Sequence, residues 1–136
     1  MLNCFITKMN LEESELEVEI TTPLLSTENK ERVIFCLNEI FPGTEWVIKE
    51  EEIKGETNSL ERFKKILKDR KIRDTARSYM LGHIIGDECK FTLSKQASCG
   101  GAVNFSEEEQ PLGGIDVTIR SDNIREVIEE ITKINK

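Results

Sequence analysis

The sequence predicts a two-layer α+β protein, a largely antiparallel sheet with helices packed on one face. Three observations lead there. Each clear strand segment is apolar only at alternate residues, as a sheet with one buried and one solvated face requires; a sheet covered on both sides would read as unbroken Val/Ile/Leu runs. Amphipathic helical stretches interrupt those strands and supply the second layer. Hydrophobic residues make up 38% of the 136 and charged residues 33%, enough for one core beneath a strongly ionic surface. With no repeat, low-complexity tract or linker composition, the expected organisation is an extension over residues 1–14 and a single domain over 15–136.

The elements follow in order. Leu16, Val18 and Ile20 alternate with Glu15, Glu17 and Glu19, which predicts a strand that Pro23 ends. Ser26 or Thr27 is the expected cap of a helix with Glu28 in its first turn, and Val33, Ile34, Leu37, Ile40 and Phe41 form its stripe until Pro42-Gly43. A second strand runs over 44–49 around Trp46 and Ile48, and Glu50, Glu51, Glu52 and Gly55 read as a solvated turn. Asn58 with Glu61 suggests a capped helix whose Leu60, Phe63, Ile66 and Leu67 share a face. Helical periodicity resumes at Ile72 and continues through Ala76, Tyr79, Met80 and Ile84 to Gly86-Asp87, with Lys71 as a candidate break. Cys89, Phe91 and Leu93 mark a third strand, 95–101 is irregular, 102–105 is a candidate short strand, and Glu107 to Glu109 form an exposed loop. Ile115, Val117 and Ile119 alternate with Asp116, Thr118 and Arg120 as the last strand, before a helix with Ile124, Val127, Ile128, Ile131 and Ile134 on one side.

No apolar run approaches the roughly 20 residues of a membrane-spanning helix, and residues 1–9 lack the pattern of a secretory signal, so a cytoplasmic protein is expected. Cys4, Cys36, Cys89 and Cys99 include no Cys-x-x-Cys pair and His83 is the lone histidine, which argues against a zinc site; free thiols packed as small hydrophobes are expected. Cys89, on the apolar face with Phe91 and Leu93, should be unreactive.

Several local strings occur together in a known order: Asn38-Glu39-Ile40-Phe41-Pro42, Ile72-Arg73-Asp74-Thr75-Ala76-Arg77, Leu93-Ser94-Lys95-Gln96-Ala97, Val103-Asn104-Phe105, Pro111-Leu112-Gly113 and Ile115-Asp116-Val117. Over about residues 15 to 136 they resemble the archaeal family of uncharacterised proteins numbered 201 in the UPF series. The resemblance implies an α+β fold similar to ribosomal protein L-five and self-association as a homodimer. It brings no activity with it.

Charge is uneven. Arg62, Lys64, Lys65, Lys68, Arg70, Lys71, Arg73 and Arg77 meet only Glu61, Asp69 and Asp74, so this segment carries 8 − 3 = +5, while the rest of a chain of net charge −7 carries −12. Such an island suits a phosphate-tracking RNA surface, although a solvated helix face is its plainer use and the acidic remainder repels a polyanion. Aromatic stacking platforms are missing from the outward strand positions. Lys95, Gln96 and Asn104 bracket Cys99-Gly100-Gly101 and form a second candidate site for a small ligand; the glycines fit no nucleotide motif and more often just turn the chain. Glutamates on an open strand face suggest solvation more than acid–base work, and His83 near Tyr79 reads as a packed residue, so no catalytic or metal-ligating residue and no cofactor is assigned. The expected function is therefore non-catalytic and exerted through self-association. The alternatives are an RNA-binding module using residues 60–77 and a small-molecule enzyme with a site near Lys95 and Asn104.

Overall fold

The computed structural model describes residues 16–106 and 113–133, in the order β1 (Glu17–Pro23), α1 (Lys30–Ile40), β2 (Glu45–Lys49), β3 (Glu52–Thr57), α2 (Glu61–Asp69), α3 (Arg73–Leu81), β4 (Ile84–Ile85), β5 (Glu88–Ser94), α4 (Lys95–Ser98), β6 (Gly114–Arg120) and α5 (Ile124–Ile131). The six strands form one sheet in the order β2-β3-β1-β6-β5-β4, and every neighbouring pair is antiparallel. The anticipated α+β class with an antiparallel sheet is what the chain adopts. The proposed extension and the glutamate loop after Ser106 lie outside the described residues.

Period-two patterning produces the two layers directly. Val18, Ile20, Ile53, Cys89, Phe91, Leu93, Ile115, Val117 and Ile119 point to the core, whereas the residues between them are exposed or half-buried. The helices cover that apolar side: Val33, Leu37 and Ile40 from α1, Phe63, Ile66 and Leu67 from α2, Ala76 and Met80 from α3, and Val127, Ile128 and Ile131 from α5 complete one cluster. Each fully buried Leu, Ile or Phe contributes about 1.5–3 kcal/mol relative to leaving it in water, which makes this layer contact the main stabilising term.

Several boundaries differ from the sequence expectation, each for a physical reason. Asn29, not Ser26 or Thr27, caps α1 by accepting from the Arg32 amide, because Glu28 is drawn away to the Leu25 amide and to Lys95. The solvated turn shrinks to Glu50-Glu51, with Glu50 at φ 51°, and the chain returns as β3, in the sheet interior between β2 and β1. Gly55 sits there because a Cβ would come within 2.5 Å of the Trp46 ring, which lies across it. Asn58 does not cap α2; Leu60 occupies that position without a side-chain bond, and Ser59 Oγ accepts from the Glu61 amide. Lys71 is a true break, at φ 58°, and it reorients the chain between α2 and α3. Helix α3 ends at Leu81, so Ile84 belongs to the short strand β4 and not to the helix. Within 95–101 one helical turn, α4, is capped by Ser94, and the candidate strand at 102–105 amounts to a single bridge between Leu93 and Phe105.

The cysteines correct the expectation most clearly. Cys36 of α1 and Cys99 just after α4 form a disulfide that joins positions 63 residues apart. Cys89 remains a free thiol, fully buried, and burial pushes its pKa up to about 12, in line with an unreactive core sulfur.

Candidate nucleic-acid interface

The basic island folds into α2, the Lys71 break and the first half of α3, and most of its charges bind the helical layer together. Arg62 Nε donates to the Glu39 carbonyl at the end of α1 at 3.2 Å, and Arg70 Nη2 to the Gly100 carbonyl at 3.2 Å. Arg73 Nη1 donates to the Lys133 carbonyl at 2.8 Å, beyond α5. On α5 itself, Glu130 pairs with Lys64 at 3.1 Å and Glu129 with Arg77 at 2.7 Å. Among the described residues Lys65 pairs only along its own helix, with Asp69. The side chains of Lys68 and Lys71 are exposed, and neither makes a hydrogen bond or ion pair with a described residue.

These ion pairs lie in water, with side chains 38–62% exposed, so each is worth at most about 1 kcal/mol and can exchange its partner at little loss. Counting Glu129 and Glu130 with the ridge leaves it at 8 − 5 = +3. The surface is thus a positively charged strip with two unengaged lysines at the turn between its helices.

The bare side of the sheet is the opposite. Its outward positions carry Glu17, Glu19, Glu45, Glu52, Glu56, Glu88 and Asp116 against Lys49, Lys54, Lys90 and Arg120, a balance of 4 − 7 = −3. Cross-strand neighbours pair some of these charges, while the register also sets Glu56 opposite both Glu19 and Glu45. Arg120 lies opposite both Glu17 and Glu88 and bonds Glu17 at 3.1 Å and Glu88 at 2.8 Å. Lys54 reaches Glu19 at 3.8 Å, and Thr92 Oγ1 donates to Asp116 at 2.8 Å. Glu17, Glu19, Lys54 and Arg120 help to line a wide, shallow depression of about 1400 Å³ over β2, β3, β1 and β6, and no aromatic residue is among those that line it. The guanidinium of Arg120, with Lys90 adding a smaller effect, holds the Glu88 carboxyl below its ordinary range. Depression of a carboxyl pKa on folding adds stability that is fully present above the unfolded pKa and is lost as pH falls through the folded one. Accordingly Arg120→Leu should raise the Glu88 pKa toward its ordinary value and weaken the rise in stability on leaving acid, read by NMR titration and by acid unfolding; an unchanged Glu88 titration would show that Arg120 is not its partner.

At the second candidate site the Lys95 ammonium is taken up by internal contacts. Lys95 is buried, and its ammonium donates to the Pro23 carbonyl at 2.7 Å and to both Glu28 carboxylate oxygens at 3.1 and 3.3 Å. Gln96 and Asn104 are exposed, and the Asn104 carbonyl accepts from the Ser94 amide. Lys95 and Glu28 therefore act as an internal tie between the β1–α1 connection and α4. At the other edge of the sheet, half-buried Tyr79, His83 and Phe105 stack, with centroids 4.1 and 4.7 Å apart, and continue through Phe91 and Phe63 into the core. His83 Nδ1 lies 2.7 Å from the Tyr79 carbonyl, so this histidine is packed, as its place beside Tyr79 suggested. Sequence spacing shows Tyr79 and His83 as an i,i+4 pair; it does not bring Phe105 to them.

By fold and surface this is a two-layer α+β protein with a bare acidic sheet face and a basic helical ridge. The chain belongs to the UPF0201 family. A family model described as RNA binding matches residues 17–121. A UPF0201 protein from Methanothermobacter thermautotrophicus is 32% identical over 116 residues, covering 83% of this chain and 88% of that one. A UPF0200/UPF0201 protein from Archaeoglobus fulgidus is 39% identical over 110 residues; the match covers 80% of this chain and only 34% of that longer protein. The crystal structure of the UPF0201 protein from Methanococcus jannaschii superimposes with a TM-score of 0.81 at 34% identity, over 88% of this chain and 95% of that one. Among the described residues no helix is long and apolar enough to cross a membrane.

Proposed function

We propose that this protein is an RNA-binding module that holds the nucleic-acid backbone along the α2–α3 ridge, and not on its sheet. The observation that carries this reading is the segregation of charge: +3 on the ridge, even with its α5 carboxylates counted, against −3 on the open sheet. The RNA-binding description of the matching family model supports the class of ligand. Binding of this kind rests on phosphates and is sequence-tolerant, since the sheet offers no exposed ring to stack bases and the ridge offers cations. Lys68 and Lys71 are the first contacts, and Lys65, Lys64 and Arg77 can trade exposed carboxylates for phosphate oxygens.

A filter-binding titration with a mixed-sequence single-stranded RNA tests it. With about four phosphates neutralised, log affinity should fall against log salt with a slope of about −3. Combining Lys65→Glu, Lys68→Glu and Lys71→Glu should weaken binding at low salt at least ~100-fold, while Lys54→Glu on the sheet leaves it unchanged. No retention at low salt, or equal loss from Lys54→Glu, would refute the assignment. A second reading, self-association without catalysis, is favoured by a separate observation, the outer edge of β2, which pairs with no other strand among the described residues.

A further inference from the structure

We propose that a second copy of this chain docks on the β2 edge, pairing β2 with the partner's β2 antiparallel about a two-fold axis through Val47, so that two six-stranded sheets become one of twelve. The inference rests on the self-association reading and supplies its surface. Strand β2 is an outermost strand of the sheet, and its segment Glu45-Trp46-Val47-Ile48-Lys49 is joined to β3 by the two-residue loop Glu50-Glu51. Such a hairpin closes on a pair that exchanges both backbone bonds, here Lys49 with Glu52; alternation then turns the amides of Glu45 and Val47 toward β3 and those of Trp46 and Ile48 outward. Among the described residues no backbone group bonds those outward amides and carbonyls.

The edge is self-complementary. Rotated onto itself about Val47, it sets Glu45 opposite the partner's Lys49, Trp46 opposite the partner's Ile48, and Val47 against the partner's Val47. Trp46 and Ile48, whose polar groups already point outward, become the bonded pairs. Glu45, Val47 and Lys49 fall at the non-bonded positions, where side chains approach most closely. One register thus satisfies the backbone, the charge pairing and the apolar centre together, as an isologous contact requires. Exposure agrees. Val47 is 53% and Ile48 37% exposed, and on the helix layer Phe35 is 56% exposed, one turn before Asn38, whose side chain accepts from the Trp46 indole. An edge this apolar, left open, is an invitation to pairing that folded proteins usually blunt.

The test is sedimentation equilibrium of the full chain and a charge-swap cycle. The unaltered protein should be dimeric at tens of micromolar. Glu45→Lys alone, or Lys49→Glu alone, sets like charges opposite each other at both ends of the ribbon and should weaken the dimer at least tenfold. Combining Glu45→Lys with Lys49→Glu should restore it, and the two single variants mixed should form a heterodimer. Far-UV circular dichroism and thermal melting, expected to be unchanged at these exposed sites, exclude misfolding as the cause. A dimer indifferent to every swap would overturn this interface while leaving self-association intact. A monomer throughout would overturn both, and a monomer that instead takes up an unrelated extended peptide along β2 would assign the edge to a foreign strand.

Discussion

Reducing the Cys36–Cys99 disulfide should lower the unfolding free energy by about 4 kcal/mol, the largest effect expected from any single change. The bond closes a loop of 63 residues that contains β2, β3, α2, α3, β4, β5 and α4. Removing it restores to the unfolded chain the freedom of that loop; the chain-entropy relation gives about 4 kcal/mol for this length at 25 °C. Its location adds to the effect. Cys36 is buried on the core side of α1, and Cys99 follows the short helix α4, which has little apolar surface of its own to hold it in place. Urea unfolding with and without reductant measures the difference, with the double variant Cys36→Ala and Cys99→Ala as the check that reductant acts only here. Equal midpoints in the two conditions would mean that the two sulfurs are not bonded in solution.

Replacing Lys95 by methionine should cost about 3 kcal/mol. The side chain is 4% exposed and its partner Glu28 11%, so the variant leaves a carboxylate with little access to water and without its cation. It also strips the Pro23 carbonyl of a donor at the point where β1 leaves the sheet. The Glu28 carboxylate then keeps the Leu25 amide as its donor among the described residues. The companion change Glu28→Gln, which keeps the shape and a neutral acceptor, should cost less, and pairing it with Lys95→Met should recover part of the loss because no buried charge is then stranded. Denaturant midpoints of the four proteins form a double-mutant cycle. Strict additivity would show that the two side chains do not interact.

The layered architecture was legible wherever one side chain in two was apolar. Val18 and Ile20, Phe91 and Leu93, and Val117 and Ile119 announce both the strands and which side faces the helices, because a half-buried sheet imposes that alternation on the sequence. Strand β3 escaped the same reasoning. Glu52-Ile53-Lys54-Gly55-Glu56-Thr57 has one large apolar side chain, since at Gly55 the core space is filled by Trp46 reaching across from β2. Ile84 kept the helical period of α3 yet falls past its end, because hydrophobic spacing does not record where a backbone stops bonding to itself. Glu28 looked like a first-turn helical acid and is instead the counter-ion of Lys95, 67 residues away. The disulfide was illegible for the same reason: nothing local distinguishes Cys36 and Cys99 from other thiols, and only the packing of α1 beside α4 brings them together.

The basic ridge shows both sides of this. Its charge excess was plain from composition between Leu60 and Arg77, but its internal bonding was not. Arg62, Arg70 and Arg73 spend their donors on carbonyls of α1, the loop after α4 and the end of α5, which makes them ties of the helical layer first. Lys65, Lys68 and Lys71 have no such obligation to another element, and they distinguish a ligand-facing surface from a structural one.

Backbone amide chemical shifts followed during titration of the protein with single-stranded RNA test the central assignment most directly. Shifts concentrated in α2, around Lys71 and in the first turns of α3, with Glu17, Glu19 and Lys54 on the bare sheet unmoved, are the predicted result. Shifts centred on β1, β3 and β6, or none at low salt, would contradict it.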